Sequence, residues 1–324
     1  MKRNFLRIFL ILIAITIVAI GGLLGYVKTA LPNVGAAPDI HIAGTPEQIA
    51  RGHYLANYVM QCLECHSERN WNVFAGPMIP GTEGKGGEAF TQELGFPGSY
   101  IAANITPAGI GDWTDGELFR AITSGVSKDG HPLFPIMPYT NFRQIDSNDI
   151  IAAIAYIRTL PPIENTTEKS STDFPMNFII HTIPKKPAFQ PVPSKSDKVA
   201  YGAYMVTAAN CKECHTKFEN GKFTGVPFAG GREFPLPNGT LRTPNLTPHS
   251  TGLGNWTEET FIQRFKMYSD STYVPIKPED LGYQTYMPWM NYTHMTTEDL
   301  SAIYAYLRSV PAVANKVEKF TAMK

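Results

Sequence analysis

Cys62-Leu63-Glu64-Cys65-His66 and Cys211-Lys212-Glu213-Cys214-His215 together use all four cysteines of the chain. On a helical turn, residues at i, i+3 and i+4 share one face, so each motif presents two thiols and an imidazole together. C-x-x-C-H at this spacing is the attachment signature of a c-type haem. The thiols add to the two vinyl groups of one porphyrin, and the histidine ligates the iron from beneath. The expectation is two covalently bound haem c groups, one on Cys62 and Cys65 with His66, the other on Cys211 and Cys214 with His215. A four-cysteine zinc site would place its pairs about 15–20 residues apart, whereas these lie 149 apart. A thioredoxin-like pair would need a βαβ setting, which neither motif has. Disulfides within each pair would leave both histidines without a role.

The elements that must position these motifs occur twice. Gly52-His53-Tyr54 precedes the first motif as Gly202-Ala203-Tyr204 precedes the second, and Gly76 and Gly225 each follow the motif histidine by ten residues. Asn104-Ile105-Thr106-Pro107 answers to Asn245-Leu246-Thr247-Pro248, and Gly111-Asp112-Trp113-Thr114 to Gly254-Asn255-Trp256-Thr257. Met137-Pro138-Tyr139-Thr140-Asn141-Phe142 matches Met287-Pro288-Trp289-Met290-Asn291-Tyr292. The period of about 141–150 residues is too long for a solenoid and reads as a duplicated domain.

Helix signals recur within the copies. Thr45-Pro46-Glu47-Gln48 is a capping box with proline at the first helical position, opening the helix that leads to Cys62. Thr114 and Glu117 form another box, for a helix ending near Gly125. Asp146 and Thr296 are N-caps for the closing helices, which stop before Pro161 and Pro311. Gly52 and Gly202, inside helices, each cost about 1 kcal/mol against alanine, a cost that close crossing under Tyr156 and Tyr306 would offset. The stretches between are rich in Gly, Pro and Asn and predict loops with little sheet. Gly84-Lys85-Gly86-Gly87 lacks the complete phosphate-loop pattern and reads as a solvated insertion in the first copy.

The sixth iron ligand sets the chemistry. His/Met ligation raises the potential and suits electron transfer, whereas an open position allows peroxide or oxygen chemistry. Met137 and Met287 occupy equivalent places, 75 and 76 residues after the first cysteine of their motifs. They are assigned as distal ligands. Met290 is the rival in the second copy, but its counterpart is Thr140; Met60, Met78 and Met295 have no methionine counterparts. His53, His131, His181, His249 and His294 are unmatched between the copies and read as surface or core residues, with one of them as the alternative distal ligand. Trp113 and Trp256 fill the core or touch a haem edge.

The amino terminus, Met1-Lys2-Arg3-Asn4-Phe5-Leu6-Arg7, precedes an uncharged apolar run from Ile8 to Val27, long enough for one bilayer crossing. Lys2, Arg3 and Arg7 place the remainder outside the cytoplasm. A cleaved signal peptide is the alternative, but its apolar region is normally shorter, about 7–15 residues. Lysine plus arginine and aspartate plus glutamate both number 28, and this zero balance argues against a nucleic-acid partner.

Both halves resemble class I cytochrome c domains. The Asn-Ile/Leu-Thr-Pro, Gly-x-Trp-Thr and Met-Pro-Tyr/Trp elements resemble the cytochrome c subunits of bacterial membrane-bound alcohol and gluconate dehydrogenases, over roughly residues 45–312. The resemblance implies an all-α, loop-rich fold of two tandem domains behind one transmembrane helix. The expected division is an anchor or signal peptide at 1–30, a linker at 31–44, domains at 45–162 and 196–312, an interdomain linker at 163–195 and a tail at 313–324. It implies an electron carrier between a periplasmic dehydrogenase, or quinol, and a respiratory acceptor, attached to the bacterial cytoplasmic membrane by its single span. No residue acts as acid, base or nucleophile on this reading. Those subunits usually carry three haem domains and this chain has two. The partner therefore stays open between dehydrogenase and haem–copper oxidase subunits, and a dihaem peroxidase is the enzymatic rival.

Overall fold

The matched sequence elements occupy matching places in the structure. The computed structural model describes residues 2–269 and 273–323. Each half is framed by an opening helix crossing a closing helix: Pro46–Tyr54 over Ser147–Ile157 in the first, Lys198–Ala208 over Thr297–Ser309 in the second. The caps are those the sequence predicts. Thr45 and Gln48 form a reciprocal box, as do Thr114 and Glu117, whose helix ends on left-handed Gly125. Asp146 and Thr296 cap the closing helices. The glycines mark the crossings. A Cβ on Gly52 would lie 1.8 Å from the Ala152 carbonyl oxygen and 2.9 Å from Tyr156 Cβ. On Gly202 it would lie 1.9 Å from the Ala302 oxygen and 2.9 Å from Tyr306 Cβ.

Two local features depart from expectation. The first opening helix does not run unbroken to Cys62; after Tyr54 it widens into a π-helical turn, Leu55–Val59. The fold is also not purely helical. Ala89–Phe90, Gly98–Ile101 and Ser171–Thr172 form one small antiparallel sheet, and Glu233–Leu236, Gly239–Arg242 and Phe320–Ala322 another. These strands are only two to four residues long, too short for alternating polarity to announce them.

Their third strands lie in the stretches read as linker and tail. Asn165 Nδ2 donates to the Lys85 carbonyl and Asn315 Nδ2 to the Ala229 carbonyl, each at 2.8 Å. The repeated framework therefore continues through 163–172 and 313–322. The stretch between the halves carries the apolar patch Phe174 to Ile180, and its helical turn, Met176–Ile179, packs against the end of the amino-terminal helix Lys2–Ala30. That helix is 29 residues long, with a mean hydropathy of 2.8 over its most apolar stretch and none of that stretch buried in the protein.

The halves share one apolar core. Leu55, Leu63, Phe142, Ile150 and Ile154 of the first are continuous with Tyr201, Met205, Tyr292, Leu300 and Leu307 of the second. A second contact forms where Gln284 grips the loop at Trp71 to Ala75. Its Oε1 accepts from the Ala75 amide at 2.8 Å, and its Nε2 donates to the Trp71 and Val73 carbonyls at 3.0 and 2.9 Å. Phe74, Ala75 and Tyr268 are buried there.

Candidate cofactor-attachment sites

Each motif begins on a residue in the left-handed region, Gln61 at φ 59° and Asn210 at φ 58°. That reversal ends the opening helix and starts a fresh single turn, Cys62–Cys65 and Cys211–Cys214. His66 and His215 close the turns, their amides donating to the Cys62 and Cys211 carbonyls at 3.0 Å. Both thiols and the imidazole of each motif thus issue from one turn. None of the four thiols is in a disulfide. Among the described residues no group of three or more His, Cys, Asp or Glu converges as a metal-binding cluster.

The histidines are oriented identically. His66 Nδ1–H donates to the Ala103 carbonyl at 2.7 Å, and His215 Nδ1–H to the Pro244 carbonyl at 3.0 Å. A carbonyl only accepts, so the proton sits on Nδ1 and Nε2 keeps its lone pair for a metal. Burial lowers both imidazole pKa values, with the carbonyl bonds opposing, and this favours the neutral ligand form. Two thiols and one such imidazole on a single turn fit a covalently attached haem.

The acceptor carbonyls precede Asn104 and Asn245, and these asparagines hold them. Asn104 Oδ1 accepts from the Thr106 amide and hydroxyl at 2.9 and 2.7 Å, while its Nδ2 donates to the Ile163 carbonyl at 2.8 Å. Asn245 does the same with Thr247, at 2.9 and 2.8 Å, and with the Val313 carbonyl at 2.8 Å. The repeated Asn-Ile/Leu-Thr-Pro element is therefore a brace behind each histidine, a role its repetition did not disclose.

A second brace overturns the reading of Gly84 to Gly87 as a solvated insertion. The Gly86 amide donates to the His66 carbonyl and the Gly230 amide to the His215 carbonyl, each at 2.9 Å. A Cβ on either would lie 2.5 Å from backbone, of Ala103 or of Thr243 and Pro244. The true counterpart of Gly84-Lys85-Gly86-Gly87 is Phe228-Ala229-Gly230-Gly231. Ser67 Oγ accepts from the Gly84 amide at 3.0 Å, and Thr216 Oγ1 from the Phe228 amide at 3.2 Å. Gly76 and Gly225 are consequently not equivalent: Gly76 has φ +51°, whereas the backbone at Gly225 is not left-handed.

Met137 and Met287 stand in matching turns. Each carbonyl accepts at 2.8 Å from the amide two residues on, Tyr139 or Trp289, and each side chain is partly buried against the shared core. Met60, Met205 and Met295 are buried within that core, and Met290 lies in the separate cluster around Phe74 and Tyr268. The unmatched histidines are engaged elsewhere. His53 stacks edge-on to Tyr58 and Tyr156, His131 bonds Ser127, His181 the Leu31 carbonyl, His249 Thr251, and His294 lies against Tyr58. Trp113 and Trp256 pack against the core.

The two motifs also approach each other. Asn291, in the Met287 turn, donates to the Asn57 carbonyl of the first half at 3.1 Å, and Asn141, in the Met137 turn, donates to Oδ1 of Asn210, just ahead of the second motif. Cys65 and Cys214 lie within electrostatic reach of one another. Glu64 is only 3% exposed. Burial raises its carboxyl to about 7 even with Arg69 at 2.6 Å opposing the shift.

A cytochrome c family model matches residues 199–311. The fructose dehydrogenase cytochrome subunit of Gluconobacter japonicus is 29% identical over 282 residues, covering 82% of this chain and 53% of that protein. The gluconate 2-dehydrogenase cytochrome c subunit of Pantoea cypripedii is 27% identical over 284 residues, covering 82% and 60%. A diheme cytochrome c-type protein of Cereibacter sphaeroides is 27% identical over 292 residues, covering 86% and 91%. The chain thus spans between half and three fifths of the two dehydrogenase subunits. It contains a cytochrome c domain at residues 199–311, and its similarity to cytochrome c subunits of fructose and gluconate dehydrogenases extends over four fifths of its length.

Proposed function

We propose that this chain is a dihaem c-type cytochrome. Its amino-terminal helix holds it in the bacterial cytoplasmic membrane with both haem domains on the periplasmic side, and it relays electrons from a dehydrogenase towards a respiratory acceptor. The observation that carries this reading is the doubling of one arrangement: His66 with Ala103 and His215 with Pro244, each beside its own pair of thiols. Each bound haem supplies an iron that takes up and releases one electron.

The protein's part is to hold and tune. Cys62, Cys65, Cys211 and Cys214 fix the groups covalently. His66 and His215 would hold the iron through Nε2, and Met137 and Met287 through their thioethers. Histidine with methionine ligation would raise the potential, and the matched turns of the two methionines support these ligands over Met290 or any histidine. The dehydrogenase partner is supported by the names of the similar subunits.

The test is an optical redox titration of the purified protein beside its Met137→Ala and Met287→Ala variants. Mass and haem content should show two groups per chain. Each substitution should lower the potential of one haem and abolish its methionine-to-iron absorption band. Unchanged spectra in both variants would overturn the ligands, and peroxide turnover at catalytic rates by the reduced protein would overturn the relay.

A further inference from the structure

The turn Met176–Ile179 lies at the foot of the amino-terminal helix, and its one exposed residue, Ile179, is apolar. Lys28 Nζ donates to the Asn177 carbonyl at 2.8 Å and sits 5.0 Å from the centre of the Phe178 ring. His181 Nδ1 donates to the Leu31 carbonyl at 3.0 Å. Just ahead of the turn, the Asp173 amide donates to the Pro97 carbonyl at 3.0 Å, so this segment is fixed to the body of the protein as well as to the helix. In front, Phe174 is 78% and Ile179 45% exposed. A polar surface would be the ordinary outcome for a connecting segment.

The level of this turn follows from the helix. The uncharged run Ile8 to Val27 is as long as the hydrocarbon core is thick, about 20 residues at a helical rise. Lys28 then falls where hydrocarbon gives way to headgroups. Its ammonium, bonded to Asn177, holds the turn within one lysine side chain of that boundary. Lys185 and Lys186, both exposed, follow a few residues later in the chain. Aromatic and aliphatic side chains beside lysines are the composition of a segment lying in the interface.

We infer that residues 174–181 form a second membrane contact, with Phe174 and Ile179 inserted at the headgroup–acyl boundary. This inference rests on the anchor reading of the helix. One helix alone leaves the haem domains able to swing about its exit point, whereas a second contact beside it limits their tilt against the bilayer. The occupant is lipid because the patch is continuous with the membrane-spanning helix.

The experiment places photoreactive p-benzoylphenylalanine at position 174, 179 or 12 of the full holoprotein. The variants are irradiated in native membranes and in phosphatidylethanolamine–phosphatidylglycerol vesicles, and adducts are read by mass spectrometry. Lipid adducts from 174 and 179 comparable in yield to those from 12 are expected. Lipid adducts from 12 alone overturn the second contact and leave the anchor standing. Protein adducts from 174 and 179 in native membranes, without lipid adducts, make the patch a subunit contact and overturn it too. No lipid adduct from any position, with a mature mass lacking the first segment, overturns the anchor and this inference together.

Discussion

The Tyr204 hydroxyl of the second half donates to the Asp149 carboxylate of the first at 2.6 Å. The reciprocal bond runs from Tyr54 of the first half to Asp299 of the second. Each hydroxyl also accepts from the backbone where the other half's closing helix begins, Tyr204 from the Asp146 amide at 3.2 Å and Tyr54 from the Thr296 amide at 3.0 Å. The third residue of each Gly-x-Tyr element therefore joins the halves, while the first residue packs its own. Arg51 completes one side with a bidentate pair to Asp149 at 2.9 and 2.7 Å, and Tyr201 completes the other, donating to Asp299 at 2.8 Å.

Removing one of these hydroxyls leaves a buried carboxylate short of a donor. Bonds to charged groups contribute about 1.5–3 kcal/mol, so Tyr54→Phe and Tyr204→Phe should each lower stability by about that amount. Tyr54→Phe should cost more, because among the described residues Asp299 has no arginine partner whereas Asp149 keeps Arg51. Denaturant unfolding of the two holoproteins checks the order. Equal small losses would mean that the crossed bonds do not hold the halves together.

The helix crossings make a sharper demand. Gly202→Ala places a methyl group 1.9 Å from the Ala302 oxygen, and the helices must separate to admit it. Overpacking of this kind costs about 1–3 kcal/mol, whereas alanine in an unconstrained helix would stabilise by about 1 kcal/mol. The sign alone decides: a variant more stable than the parent in thermal unfolding would show that the crossing yields.

Local signals carried much of this architecture. The caps at Thr45, Thr114, Asp146 and Thr296 depend on residues within one turn, and the crossings at Gly52 and Gly202 follow from a glycine placed where propensity disfavours it. The braces behind the histidines were hidden by length. Gly86 follows His66 by 20 residues but Gly230 follows His215 by 15, so matching by offset paired Gly76 with Gly225 instead. The Tyr54 and Tyr204 bonds were hidden for another reason: each joins elements from different halves, and no periodicity within a helix reports what lies across an interface. The strands at Ser171–Thr172 and Phe320–Ala322 form by pairing with a remote strand, which segments of two or three residues do not announce.

A pH dependence follows from His294, whose ring lies 4.9 Å from that of Tyr58 in the other half. Partial desolvation, and secondly the charge of Lys266, hold its pKa below the ordinary histidine value. The unfolded chain takes up the proton near pH 6.5 while the folded chain resists it. Its contribution is therefore complete above that pH and is lost as pH falls through the folded value. The thermal midpoint of the parent should drop between about pH 7.5 and about pH 5.5 by more than that of His294→Gln. Parallel profiles would remove His294 from the account.

Asn245→Ala tests the brace itself and separates positioning from packing. The substitution removes the acceptor of the Thr247 amide and hydroxyl and the donor to the Val313 carbonyl, at a cost of about 1–3 kcal/mol for the buried groups left unpaired. On the proposed dihaem reading, a purely structural role would end there, with both haem potentials unmoved. The Pro244 carbonyl, however, accepts from His215 Nδ1–H, and a looser acceptor leaves the imidazole less basic and free to rotate. A weaker electron donor stabilises ferric iron less, so the potential of the second haem should rise while the first keeps its value. Asn104→Ala should shift the first haem and spare the second. Potentials that move together, or not at all, would show that the Asn-Thr brace supports the loop without tuning the histidine.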